Sequence, residues 1–242
     1  VHGVDGSSRT FMGEEPAGVD AVRIAAERLW AGQGDLFLVG AAYNACRKDN
    51  LLIYRPGGLL LEGEFRPLWE RPDAGMALGS SAAFLVLEAR EHAERRGAAP
   101  LGRLVAIQSS QSDRAGGGSA ATAERQWRAL EPHLAGAVPV ISAASGAGPA
   151  TTEERAVLST LQSRGRVTAV RGIAGALGHS IEAAFPTALA LAVLAVRDGR
   201  LIPPIAPGHP LEAPVEGTVE QAVVSCWGHC RGEALALVEA VA

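Results

Sequence analysis

The sequence predicts a layered α/β fold with mixed β-sheets. Short, continuous apolar runs of strand length alternate along the chain with longer segments of helical periodicity. With 48% hydrophobic and 20% charged residues, a chain of 242 residues can bury a substantial core. Two apolar runs near the end, separated by a short glycine-containing turn, predict an antiparallel hairpin. Parallel and antiparallel pairing are therefore both expected.

The first third of the chain predicts one helix and two strands. Residues 15–31 have a helical pattern that opens at Glu-Pro and stops at a Gly-Gln-Gly run. Residues 35–40 form an apolar run after the initial Asp35, which is typical of a strand buried on both faces. We expect this strand to pair with strands from outside the chain, because an isolated apolar edge would aggregate. Residues 45–79 predict a long loop of the kind that is often functional, and residues 81–87 predict a second buried strand.

The rest of the chain predicts strands and helices that largely alternate, with a glycine-rich loop at residues 109–119. The predicted helices cover residues 88–96, 122–134, 151–162 and 181–197, and the predicted strands cover residues 101–108, 138–143, 166–170, 221–226 and 233–240. This order indicates an α/β architecture rather than separate all-helical and all-strand domains.

Composition and charge exclude several classes of protein. The net charge of −4, without basic clusters interleaved with aromatic residues, argues against nucleic acid as a partner. The longest apolar stretch, residues 183–196, contains a proline and is shorter than the roughly 20 residues of a membrane-spanning helix, so no integral membrane segment is expected. Three scattered cysteines favour a reducing compartment, and we expect a cytoplasmic protein.

One histidine carries the strongest functional signal. His179 ends a Gly-Ala-Leu-Gly-His run between an apolar strand at residues 167–170 and a long apolar helix. At such a strand-to-helix turn an imidazole can present a ring N–H to a carbonyl, close to the positive end of a helix dipole. This is the chemistry of an acyl-transfer site.

Several segments resemble the β-ketoacyl-acyl-carrier-protein synthases. They are Gly178-His179 followed by Pro203-Pro204, residues 73–98, and residues 224–231. The resemblance implies a thiolase-like αβαβα fold, in which residues 1–80 supply the end of the N-terminal half and residues 81–242 the complete C-terminal half. It also implies an acyl carrier protein as partner, and a dimer with a ketosynthase paralogue or with a second copy of the chain.

The resemblance also assigns the site residues. The catalytic cysteine of the family falls on Phe11, its first histidine on Ser145, its lysine on Ala174 and its second histidine on His179, while Gly228, His229 and Cys230 match the turn that gates the acyl pocket. We expect these positions to converge around one pocket. Since only His179 is retained, the resemblance implies a non-condensing subunit of the kind called chain-length factors, acting in fatty-acid or polyketide biosynthesis.

Two alternatives stay open. An active synthase would need a displaced nucleophile, for which Cys230 is the candidate, whereas a non-catalytic interaction protein or degenerate fragment would need no acyl pocket. No cofactor is expected, and no metal, because Cys226 and Cys230 lack a second ligand pair at zinc spacing. The acidic pairs Glu14-Glu15 and Glu153-Glu154 are expected to complement helix dipoles.

Overall fold

The computed structural model describes residues 6–71 and 74–241, without the side chain of Ala115. Residues 1–5 and Asp73, which belongs to one of the matched segments, lie outside the described residues. The α-helices of the described part are α1 (Glu14–Trp30), α2 (Lys48–Tyr54), α3 (Arg90–Arg95), α4 (Gly118–Leu130), α5 (Ala150–Ser163), α6 (Ala174–Leu177) and α7 (Ala184–Arg197). The strands are β1 (Leu36–Tyr43), β2 (Ser81–Glu88), β3 (Arg103–Ser110), β4 (Val138–Ser142), β5 (Val167–Gly172), β6 (Gln221–Trp227) and β7 (Glu233–Glu239).

The larger sheet has five strands in the order β3-β7-β6-β4-β5. Its β4 pairs in parallel with β5 and β6, whereas β7 pairs antiparallel with β6 and β3, so the sheet is mixed as predicted. Neighbouring residues of β4 face opposite sides: Ile141 packs in the cluster of α7, and Val140 packs in the cluster that holds Trp127 of α4 and Leu158 of α5. Helices therefore cover both faces, which explains the continuously apolar strands.

The smaller sheet contains β1 and β2, paired antiparallel with Val39 opposite Leu85. Both residues pack towards α1 and α7. The other face is open, with Leu38 65% exposed and Phe84 63% exposed. This corrects two expectations. First, β1 and β2 are not buried on both faces, because helices pack against only one face of their sheet. Second, the strand that pairs with β1 comes from the same chain.

The layers therefore run from the smaller sheet through α1 and α7 to the larger sheet, and then to α4 and α5. This confirms the predicted α/β layered fold. Within the described residues no helix covers the outer face of the smaller sheet. Strand β1 lies in the predicted N-terminal half (residues 1–80) and β2 lies in the predicted C-terminal half (residues 81–242), and the two strands pair with each other.

The long excursion between β1 and β2 is not a bare loop, because it contains α2 and a 3-10 turn at Leu68–Glu70. The segment around His179 also differs from expectation. The one-turn helix α6 follows β5, and a 3-10 turn at Ile181–Ala183 precedes α7, so His179 lies between two helices. In the described part of the chain, no helix has the length and apolar character needed to cross a bilayer.

Candidate active site

The site forms at one edge of the larger sheet. Strands β4, β5 and β6 run parallel, so their carboxyl ends meet at the same edge. The segments that leave these ends carry Ser145, His179 and His229, which are all buried. The N-terminus of α1 packs against the same edge. Sheet topology thus gathers residues that are far apart in the sequence.

Glu15, in the first turn of α1, is the centre of the site. Its carboxylate lies 2.7 Å (Oε1) from Nε2 of His179 and 3.0 Å (Oε2) from Nδ1 of His229. The backbone N–H of His229 also donates to Oε2, at 3.2 Å. Glu15 is fully buried, and the two imidazoles are almost so. One carboxylate therefore holds two histidines from different strand ends.

These contacts control the charge of the cluster. Burial by itself favours the neutral acid, but hydrogen bonds from His179 and His229 outweigh it and hold the pKa of Glu15 well below its ordinary value. For His229, burial favours the neutral ring, yet its contact with Glu15 raises the pKa above the ordinary value. The carboxylate is thus a buried anion that is stabilised by ring N–H donors.

Backbone strain is concentrated around this cluster. Among the described non-glycine residues, Glu14 and Ile181 have positive φ, at 65° and 47°. Such values are uncommon for any non-glycine residue and unusual for a β-branched one. Glu14 precedes Glu15, and Ile181 follows His179 by two positions. Strain of this kind persists where surrounding contacts impose it, and it is often found at functional sites.

The end of the long excursion fixes the backbone of His179. The N–H of His179 donates to the carbonyl of Ala77 at 2.7 Å, and the N–H of Gly79 donates to the carbonyl of His179 at 2.9 Å. A Cβ at Gly79 would lie 1.9 Å from the carbonyl oxygen of Leu177, so this approach requires glycine. The long excursion therefore helps to hold the backbone of His179 in place.

The turn between β6 and β7 is supported from its other side. The guanidinium of Arg114 donates to the carbonyls of Gly228 and His229, and it lies 3.6 Å from the carboxylate of Glu233. The ring of Tyr54 meets the ring of His229 edge to face, with centroids 5.7 Å apart. His229 is thus fixed through its backbone, its Nδ1 atom and its ring.

The structure places some of the predicted site residues together. His179 and the Gly228-His229 turn lie close to each other, and the residue that joins them is Glu15. Phe11 lies in the coil before α1 with a partly exposed side chain, and the helix begins at Glu14. Glu15, in the first turn, is therefore the residue of this helix that reaches His179 and His229.

The two other assigned positions are buried without joining the carboxylate. The hydroxyl of Ser145 accepts a hydrogen bond from the N–H of Ala147, and no described hydrogen bond connects it to His179. Ala174 is the first residue of α6. Neither side chain can supply the proton transfer of an imidazole or the charge of a lysine.

A second buried acid lies on α5. Oε1 of Glu154 accepts hydrogen bonds from the hydroxyls of Ser142 and Ser225, at 2.8 and 2.7 Å. Burial raises the pKa of Glu154 to about 7, although both hydroxyls favour the charged form. The Glu153-Glu154 pair, which was expected only to complement the dipole of α5, thus contains a buried acid. No sequence signal distinguished Glu15 or Glu154 from acids that complement a helix dipole.

Neither Cys226 nor Cys230 offers an activated thiolate. Cys46 and Cys230 are exposed and Cys226 is buried in β6. Burial and the neighbouring carboxylate of Glu14 raise the pKa of Cys230, and burial raises the pKa of Cys226 further. A raised pKa leaves both sulfurs as thiols near neutral pH.

Comparison of this fold with known proteins identifies similar structures among ketosynthases. No family model and no curated protein sequence matches the chain. A type II polyketide synthase acyl-carrier protein in complex with its ketosynthase, bound to the hexaketide, gives a TM-score of 0.80 at 20% identity, covering 99% of this chain and 64% of that one. The ishigamide ketosynthase/chain length factor gives 0.74 at 23% identity, with 93% and 59% coverage.

A more distant sequence has an equally similar structure. The ketosynthase from module 6 of the bacillaene synthase from Bacillus subtilis 168 gives a TM-score of 0.79 at 16% identity, covering 95% of this chain and 45% of that one. The chain thus has the thiolase-like fold of the ketosynthases, and it spans less than two thirds of each of these three structures.

Proposed function

We propose that this chain is a ketosynthase-like, non-condensing subunit in polyketide or fatty-acid assembly, similar in role to a chain-length factor. The observation that carries the proposal is Glu15 at the start of α1, with its carboxylate bound by His179 and His229. The resemblance implies a cysteine nucleophile at a helix start of this kind. A carboxylate there cannot form the thioester that a condensing enzyme needs.

The surrounding residues support the same conclusion. Ser145 and Ala174 occupy the positions that the resemblance assigns to a histidine and a lysine. His179 is retained, but its Nε2 atom is engaged by Glu15. A hydrogen-bond donor such as His179 can stabilise negative charge, but it cannot start an acyl transfer without a nucleophile. We therefore expect an acyl carrier protein and a catalytically complete ketosynthase as partners in the cytoplasm.

The test separates acylation from assembly. The purified chain is incubated with an acyl-carrier-protein thioester and malonyl-carrier protein, and its intact mass and the release of carbon dioxide are measured. We expect no acyl adduct and no carbon dioxide. Co-expression with a complete ketosynthase should yield a complex that co-elutes in size-exclusion chromatography, and failure to form one would contradict the subunit role.

Cysteine variants decide the active-enzyme alternative. An adduct that is lost in Cys230→Ser and kept in Cys46→Ser would make Cys230 a displaced nucleophile and overturn the non-condensing assignment. The two cysteines are a matched pair because both are exposed. Among the described residues, Cys230 is the cysteine that belongs to a cluster with a histidine and a carboxylate.

A further inference from the structure

Three different metal-ligating side chains lie together next to Glu15. A carboxylate oxygen of Glu14, a ring nitrogen of His229 and the sulfur of Cys230 all lie within 4.8 Å of one another. Oε1 of Glu14 is 3.3 Å from Nε2 of His229. For zinc bonds of about 2.0–2.3 Å, tetrahedral ligands lie roughly 3.3–3.8 Å apart. The pair from Glu14 and His229 already has this spacing.

The orientation of His229 matches that of a metal ligand. Its Nδ1 atom faces the carboxylate of Glu15, so a proton on Nδ1 donates to Glu15. Once a metal displaces the proton on Nε2, the lone pair of this atom points towards Glu14. Metal-bound histidines commonly donate their other ring N–H to a carboxylate in this way. The side chain of His229 is only 2% exposed, so its orientation is fixed by packing.

The sulfur of Cys230 adds a further observation. An ion pair between Glu14 and His229 needs no thiol, yet Cys230 places its sulfur against both groups. Cys230 is exposed, so its side chain can rotate to complete the arrangement at little cost.

We propose that Glu14, His229 and Cys230 form a binding site for one zinc ion, with Glu15 orienting His229 from behind. The donor set of one nitrogen, one sulfur and one oxygen suits zinc, whereas magnesium and calcium take oxygen ligands. Carboxylate and thiolate together balance the two positive charges of the ion. Three protein ligands leave a fourth position for water or a small oxygen ligand, as in zinc sites that act as Lewis acids.

The direct test is metal binding by the full chain. Zinc binding is measured by isothermal titration calorimetry, and cobalt(II) is used as a spectroscopic probe because a thiolate ligand produces a charge-transfer band. We expect one equivalent of zinc, and a cobalt spectrum with both the thiolate band and the intense visible bands of a tetrahedral site. Absence of stoichiometric zinc binding would overturn the proposal.

Three variants sharpen the result. Cys230→Ser should abolish the thiolate band and weaken zinc binding about tenfold or more, and Glu14→Gln should weaken binding by a similar factor while keeping the band. The control Cys46→Ser alters the other exposed cysteine and should leave both signals unchanged. A zinc affinity that is unchanged in both Cys230→Ser and Glu14→Gln would show that the ion binds elsewhere. Loss of zinc binding in Cys46→Ser would show the same. Circular dichroism of each variant confirms that the fold is kept.

Discussion

The larger and the smaller sheet are built from similarly apolar strands, but their surroundings differ. Strand β4 has five buried residues in succession, because helices cover both faces of its sheet. Strand β1 alternates between partly buried and exposed side chains, because only α1 and α7 cover its sheet. An apolar strand sequence therefore indicates a capacity for burial, and the neighbouring layers decide how much of that capacity is used.

The most sensitive test of this difference applies the same substitution to both sheets. Leu237→Ala in β7 removes a side chain with no exposure and should lower the free energy of unfolding by about 2–5 kcal/mol. Leu38→Ala in β1 removes a side chain that is 65% exposed and should change it by less than about 0.5 kcal/mol. Urea denaturation measures both. Equal losses would show that the outer face of the smaller sheet is covered in solution.

A second prediction concerns the polar interior of the larger sheet. The pKa of Glu154 is about 7 in the folded protein and 4.5 as a model value. Below pH 4.5 the acid is neutral in both states and carries no ionisation penalty. Between pH 4.5 and 7 the carboxyl group is ionised in the unfolded chain and still protonated in the folded chain. The free energy of unfolding therefore falls by up to about 3 kcal/mol over this range and stays at the lower value at higher pH.

Glu154→Gln removes this titration and keeps an acceptor for the hydroxyls of Ser142 and Ser225. The variant should therefore gain stability relative to the parent chain as the pH rises from 4.5 to 7. Denaturation curves of both proteins at pH 4.5, 6 and 8 measure the gain. A constant difference across this range would show that Glu154 titrates normally.

A third prediction concerns the long excursion between β1 and β2. Gly79→Ala puts a Cβ against the carbonyl of Leu177 and should cost about 1–3 kcal/mol, since the backbone must move away from His179. Gly136→Ala is the control, because no atom lies within 4 Å of its added Cβ, and it should stay within about 0.5 kcal/mol. Hydrogen exchange should accelerate at the amides of Gly79 and His179 in the first variant only.

The smallest effect on stability is expected for a charge on the open face. Leu38→Lys should leave the unfolding free energy within about 0.5 kcal/mol and reduce self-association, because it interrupts an exposed apolar face. Light scattering against concentration measures association. Gln33→Lys adds the same charge at another exposed position and should not alter the scattering. A strong loss of stability in Leu38→Lys would place a partner or second copy on this face.

The order of strands and helices was predictable from the sequence, because periodicity reflects which side chains can share an apolar surface. The final hairpin and the strand β4 followed from local patterns, and the family resemblance made His179 a candidate site residue. The helix in the long excursion was missed, since glycine and proline on both sides masked a short helical segment. The extent of burial of β1 and β2 was also missed, since it depends on layers outside these strands.

The sequence alone determined the α/β class and singled out His179 as a candidate site residue. Only the tertiary structure showed that Glu15 is the residue bound to it, because Glu15 and His179 are 164 positions apart and meet only where α1 packs on the sheet edge. An acid in the first turn of a helix complements the helix dipole whether it is exposed or buried, so its sequence position carries no information on burial. Burial and long-range contacts depend on packing. In this protein the packing of α1 on the sheet edge buries Glu15 between the two histidines.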